Sequence, residues 1–207
     1  MNKKLLTLST AAIAATFALA GCAGAPGTSG TASMPVGHHS TVPASGSSTA
    51  PNATDHNAAD VTFAQMMIPH HAQAVEMSGM VLAKQDIPAS VTALATRIKD
   101  AQDPEIQTMT GWLKDWNEPV DMASGHAGHS MEGMMDDAAM EELEAARGTD
   151  AARLFLEQMI VHHEGALTMA RTESAEGKND DAVQLSKEIV AAQEAEIQEM
   201  RDLLGTL

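Results

Sequence analysis

Cysteine occurs once in this 207-residue chain, tyrosine not at all, and aromatic residues make up only 2 %. A single thiol excludes an internal disulfide framework and any zinc or iron–sulfur site built on cysteines. Basic residues are scarce as well. Twelve Lys and Arg face 28 Asp and Glu, for a formal net charge of −16. A surface of that sign repels phosphate backbones, so nucleic acid is excluded as a partner. The apolar stretch Leu5–Ala18 falls short of the roughly 20 residues that a spanning helix needs. No Ser-His-Asp set, cysteine nucleophile or phosphate-binding loop is visible. What the chain does have is 44 % hydrophobic residues, 15 Met and nine His. That is enough apolar material for a folded core, and an unusual supply of thioether and imidazole.

The N-terminus reads as an address. Lys3 and Lys4 precede Leu5–Ala18, and Leu19-Ala20-Gly21-Cys22 follows. Positive start, apolar middle and small-residue end are the order of a secretory signal. The site ending in cysteine resembles the lipobox of bacterial lipoproteins. That resemblance implies a signal peptide over 1–21, lipidation of Cys22, and a membrane partner engaged through the lipid on the extracytoplasmic side of the cell envelope. Residues 22–59, dominated by Ala, Gly, Ser, Thr and Pro, are expected to form a disordered tether with a reach of about 30–35 Å. Met34, His38, His39 and His56 on it form a weak auxiliary set for metal capture.

The remainder, 60–207, repeats itself. Phe63, Met67, His70 and His71 recur as Phe155, Met159, His162 and His163, an offset of 92 (155 − 63) that extends through Ala74/Ala166 and Met77/Met169. Gln102, Glu105, Ile106, Met109 and Leu113 recur as Gln193, Glu196, Ile197, Met200 and Leu204, an offset of 91 (193 − 102). Apolar residues return every three or four positions in each segment, which predicts helices. Asp60, Ser90, Thr149 or Asp150, and Asn179 or Asp180 are the expected N-caps, and Gly205 the final stop. Pro69 is expected to kink the first helix. The second stripe should hold Leu94, Ile98, Ala101, Glu105, Met109 and Trp112, and the fourth Leu185, Ile189, Ala192, Glu196, Met200 and Leu203. Short turns at 85–89 and 177–180 predict antiparallel hairpins. The expected fold is all-α: a four-helix bundle of two tandem hairpins, repeat 1 over 60–117 and repeat 2 over 149–207. A crossover over 118–148, with a short helix near 137–147, joins them.

Each repeat carries a His-His pair on its first helix. Neighbours on a helix point about 100° apart, so one of each pair should face the centre and the other its flank. Met67 and His71 share a face, as do Met159 and His163. Glu105 and Glu196 interrupt apolar stripes, and a carboxylate there needs a partner, for which the facing histidines are candidates. Two readings stay open: a buried His–Glu hydrogen-bond network with Met as filler, or a metal site. The crossover bears on the choice. Met122, His126, His129, Met131, Met134 and Met135 fall within fourteen residues rich in Gly and Ser. Exposed Met gains nothing by packing, whereas thioether is a soft ligand for Cu(I) that survives oxidising conditions and is never protonated.

Met66-Met67-x-x-His70-His71-x-x-Ala74-x-x-Met77, followed by Gln102-x-x-Glu105-Ile106-x-x-Met109-x-x-Trp112-Leu113, resembles the domain-of-unknown-function family 305. The second copy departs from the pattern with Gln158 in place of the first Met and Leu203 in place of the Trp. The resemblance covers about 60–207 and implies a ferritin-like four-helix bundle made by duplication. It extends to members that are copper-binding envelope proteins, and Met131, Met134 and Met135 favour that branch.

The expected function is that of a lipid-anchored copper-binding protein that sequesters Cu(I) or hands it to a copper-transfer protein. His70, His71, His162 and His163 would bind the metal, assisted by Met67, Met77, Met159 and Met169. Glu105 and Glu196 would orient the imidazoles, and Met122, His126, His129, Met131, Met134 and Met135 would capture metal first. Two rivals come from other classes. A metal-dependent oxidoreductase is weakened because neither His pair lies in a Glu-x-x-His motif, as di-iron carboxylate bundles require. A metal-independent protein-interaction module would instead dock a partner on a Met-rich face.

Overall fold

Five helices account for the regular structure, and no strand occurs among the described residues. The computed structural model describes residues 55–121 and 131–207. Cys22, Met34, His38, His39, Met122, His126 and His129 lie outside the described residues. Among the described residues no helix is long and apolar enough to cross a membrane.

Helix α1 spans Ala58–Leu82 and starts two residues inside the expected tether. Its N-cap is Asn57, not Asp60. The Asn57 side chain accepts from the backbone N–H groups of Ala59 and Asp60, and the Asp60 carboxylate accepts from the Asn57 backbone N–H. This is a capping box, with Asp60 as its third helical residue. The helix continues through Pro69 without interruption. Just ahead of it, the His56 ring stacks on Trp116 at 4.6 Å.

Helix α2 (Ala89–Asp115) follows Pro88 and has no side-chain cap, so Ser90 does not serve as one. It contains Pro104 and ends where Asn117 enters the left-handed region (φ 59). Helix α3 (Asp137–Ala145) is capped by Asp136. Arg147 then donates to the carbonyls of Glu144, Ala145 and Ala146, covering the orphan acceptors at its C-terminus. Helix α4 (Gly148–Glu176) starts directly after Arg147 without a side-chain cap, so neither Thr149 nor Asp150 has the expected role. Helix α5 (Asp180–Leu204) is capped by Asn179 and closed by Gly205, as its sequence predicts.

The helices form two hairpins, α1–α2 and α4–α5, that meet mainly through α1 and α4. Two apolar clusters make the core. One holds Ala74, Met77 and Val81 of α1 with Leu94 and Ile98 of α2, Phe155 and Met159 of α4, and Ile197 and Met200 of α5. The other holds Phe63, Ala64 and Met67 with Met109 and Leu113, Ala166 and Ala170, and Ile189. Along α1 the second cluster comes first; along α4 it comes last, so these two helices run in opposite directions. The α2 and α5 stripes keep Leu94, Ile98, Met109, Ile189 and Met200 in the core as expected and depart from expectation at single positions. Ala101 and Ala192 are exposed, Trp112, Leu185 and Leu203 are half-buried, and Gln102 and Gln193 are buried instead.

Asp60 ties the two hairpins together at one end. Its Oδ1 accepts from the backbone N–H groups of Lys178 and Asn179, both at 2.9 Å. The Asn57 side chain donates to the Glu176 carbonyl at 2.9 Å. Burial pushes the Asp60 carboxyl up, but the hydrogen bond with Glu173 and the three backbone N–H donors outweigh it, and its pKa falls below the usual value. The buried Glu173 is driven the other way, to about 8, by desolvation, by its hydrogen bond to Asp60 and by the Asp60 charge.

Two outcomes follow from these contacts. Asn57→Ala should lower the unfolding free energy by about 1–2 kcal/mol in urea melts, the usual cost of a lost cap. Glu173 has a folded pKa above its unfolded value of 4.5. Its contribution is therefore fully present below about pH 4.5 and is lost as pH rises through about 8. Glu173→Gln keeps a donor for Asp60 and removes the titration. The variant should gain about 1–3 kcal/mol on the wild type between pH 5 and pH 9; a constant difference across that range would refute the raised Glu173 pKa.

Candidate metal centre

Between the two apolar clusters lies a polar layer. On α1, His70 and His71 sit between Met67 of one cluster and Ala74 of the other; on α4, His162 and His163 sit between Met159 and Ala166. All four imidazoles are buried, each at most 1 % exposed. The expected split, one His inward and one at the flank, does not hold. Close packing of α1 against α4 buries His70 and His162, and the second helix of each hairpin covers His71 and His163.

The layer is nearly two-fold symmetric. His71 Nε2 donates to Glu105 Oε2 at 2.7 Å, and His163 Nε2 donates to Glu196 Oε2 at the same distance. Each pair joins the two helices of one hairpin. Across the hairpins, the His70 and His162 rings meet in a tilted contact, with centroids 3.7 Å apart and planes inclined by 39°. Glu105 and Glu196 keep 23 % and 18 % of their side-chain surface, so they close the layer toward solvent rather than filling the core.

Hydrogen-bond partners assign the tautomers. A carboxylate accepts only, so Nε2 of His71 and His163 carries the proton. His70 Nε2 points at the Glu132 carbonyl oxygen at 3.3 Å, so it is protonated as well. In each of these three rings Nδ1 is the remaining nitrogen. Nδ1 of His70, His71 and His163, and both ring nitrogens of His162, are buried without a partner. Burial and the neighbouring His71 lower the His70 pKa to about 3, against a smaller upward pull from the Glu132 carbonyl. Burial, His70 and then His163 push His162 well below its usual value. Burial thus favours the neutral form of both rings, which is the form that binds metal.

Buried polar atoms without partners are rare and costly, and five imidazole nitrogens in one layer need an explanation. Metal-binding histidines are held in this way: one nitrogen on a carboxylate or carbonyl, the other free. The donor set therefore fits a metal with an imidazole preference. Among the described residues no three His, Cys, Asp or Glu groups are already posed around one ion. With centroids 3.7 Å apart, the tilted His70 and His162 rings leave no room for an ion between them. His70 and His162 must part to share an ion.

The other residues singled out from the sequence fall in different surroundings. Met67, Met77 and Met159 are fully buried in the apolar clusters that flank the layer, while Met169 is half-exposed in a groove between α1 and α4. Met131, Met134 and Met135 are half-buried against the helices, contrary to the expectation of a loose, exposed segment. His56 stacks on Trp116 and lies 3.9 Å from Glu118, away from the imidazole layer. Gln102 and Gln193 were missed. Both are buried in the polar layer one turn from the glutamates, with Oε1 unpartnered. Their signal was present, since they match across the repeat.

The family model described as Domain of unknown function (DUF305) matches residues 60–204. A putative secreted DUF305 protein from Streptomyces coelicolor is 35 % identical, with a TM-score of 0.67 over 72 % of this chain and 91 % of that one. A DUF305 fragment from Deinococcus radiodurans is 30 % identical, with a TM-score of 0.66 over 73 % and 98 %. CopM in its Cu(I)-bound form is also 30 % identical, with a TM-score of 0.61 over 71 % and 96 %, and CopM is known in Cu(II)-bound and silver-bound forms too. No curated protein matches the chain. The duplicated hairpin with its two His pairs thus belongs to the DUF305 family.

Proposed function

We propose that the protein binds copper in the cell envelope, as a ferritin-like four-helix bundle tethered by a lipid on Cys22, and that it sequesters Cu(I) or hands it on without covalent chemistry. The observation that carries this reading is the layer of four buried imidazoles whose free nitrogens have no protein partner. Likeness to CopM, which binds Cu(I), Cu(II) and silver, supports copper over other imidazole-preferring metals. The putative secreted relative supports a place outside the cytoplasm.

In this reading His70, His71, His162 and His163 are the metal ligands. Buried Met67, Met77 and Met159 and half-exposed Met169 supply thioethers that bias the site toward Cu(I). Glu105 and Glu196 anchor Nε2 of His71 and His163, which fixes the tautomer and leaves Nδ1 for the ion. Met122, His126, His129, Met131, Met134 and Met135 capture copper before it enters, and a copper-transfer protein receives it.

The test is Cu(I) titration of the full-length protein under anaerobic reducing conditions, against a competing chelator, with Zn(II) and Fe(II) in parallel. Copper should bind at one or more equivalents, and His70→Ala combined with His162→Ala should abolish the tightest site. Unchanged stoichiometry and affinity in that double variant would refute the imidazole site. Uptake of iron or zinc with indifference to copper would favour an enzyme. Glu105→Gln and Glu196→Gln should each weaken copper binding by about 10–100-fold while leaving the stoichiometry intact; equal affinity would remove the glutamates from the account.

A further inference from the structure

The two halves of the layer differ in one respect. His70 has a backbone carbonyl on Nε2, whereas its repeat counterpart His162 has no partner on either nitrogen. The carbonyl belongs to Glu132, in the strap Met131–Met135 that runs into α3. This strap lies across α1 and α4 at the level of the imidazoles, and two contacts seat it. The Gln73 side-chain amide donates to the Met135 carbonyl and accepts from the Met135 N–H, both at 2.8 Å. On the other side, the backbone of Glu132 and Gly133 presses directly onto α4. A Cβ on Gly165 would lie 2.0 Å from the Glu132 carbonyl oxygen, and one on Gly133 would lie 2.8 Å from the Val161 carbonyl. Gly133 also has φ +84, which a side chain would strain.

Gln73 and Gly165 are the same position of the repeat, since their numbers differ by 92 (165 − 73). One copy carries a side chain long enough to grip the strap by its backbone. The other carries no side chain, where the Glu132 backbone presses on α4. A glycine inside a helix costs about 1 kcal/mol against alanine, so Gly165 has a local cost with no local benefit. The duplicated hairpins therefore diverge where the crossover must be held.

We propose that Gln73 and Gly165 are positioning residues that seat the Met131–Met135 strap over the His70–His162 pair, and that release of the strap sets how fast this pair is reached from solvent. A metal ion bound at the free Nδ1 of His70 would leave the Glu132 contact on Nε2 in place, but it would have to reach the pair past the strap. The consequence for metal rests on the copper reading; the seat itself does not.

The test uses the full-length metal-free protein and brief diethylpyrocarbonate treatment, with acylation of each histidine read by peptide mass spectrometry. The variants are Gln73→Ala, Gln73→Glu and Gly165→Ala. Gln73→Glu keeps the acceptor for the Met135 N–H and loses the donor. Gly165→Ala forces the strap away and raises helix propensity, so α4 should remain folded. Acylation of His70 and His162 should quicken by about tenfold in Gln73→Ala and Gly165→Ala, and by less in Gln73→Glu, the scale expected for losing net hydrogen bonds. Amide exchange within α1 and α4 should stay at wild-type rates. Unchanged acylation would overturn the proposal, as would acylation that rises only together with amide exchange, which means local unfolding. In the copper-loaded protein, chelator removal of Cu(I) should quicken in the same order. If acylation quickens but no copper binds, the strap assignment stands and the copper reading falls.

Discussion

The structure is organised around a layer of buried imidazoles, five of whose ring nitrogens lack protein partners. Everything else in the core accommodates it. Four rings separate the apolar core into two clusters, and no water-exposed edge reaches the unpaired nitrogens. Burying polar atoms without partners opposes folding, by about 1–3 kcal/mol for each unsatisfied group. The apolar clusters on either side, with Phe63, Met67 and Met109 below and Leu94, Phe155 and Met159 above, offset that cost. A protein selected for stability alone would fill this layer with leucine. Retaining four histidines there makes sense if a ligand completes them.

Duplication explains how such a layer is built. One hairpin supplies two imidazoles and one glutamate, and packing two copies through α1 and α4 brings the sets together with little further design. The symmetry is close: both His–Glu contacts measure 2.7 Å. It is broken where the connection between the copies returns across the helices. That connection adds the Glu132 carbonyl to one imidazole, and it requires unlike residues at equivalent positions. The same asymmetry reaches the other end of the molecule, where Asp60 of the first copy binds the turn of the second.

The repeat, the five helices, the α5 caps and the His–Glu pairing were legible in the sequence because each rests on periodicity or on matched residues. Three things were not. The α1 start was placed at Asp60 because an acidic residue ahead of an apolar stripe reads as a cap. Asn57 holds that place, and Asp60 works three residues later as the acceptor of the box. Within the α2 and α5 stripes one inward position was misplaced, Gln102 and Gln193 taking the buried place expected of Ala101 and Ala192, because an amide in a polar layer does not register as a core residue. The burial of both members of each His pair was also missed. A helix wheel places neighbours 100° apart, but it does not know that a second helix covers the flank. The strap was the least legible part. Its grip depends on backbone atoms of Glu132, Gly133 and Met135, whose positions no composition rule gives.

The central claim is that the imidazole layer serves a ligand rather than the fold. Replacing His70 and His162 together by leucine, and measuring thermal stability with and without Cu(I), tests it most directly. Leucine fills similar space and removes the unpartnered nitrogens. The account predicts that the metal-free variant is at least as stable as the wild type, and that the stabilisation copper gives the wild type disappears. A metal-free variant destabilised by several kcal/mol, with its response to copper intact, would contradict it.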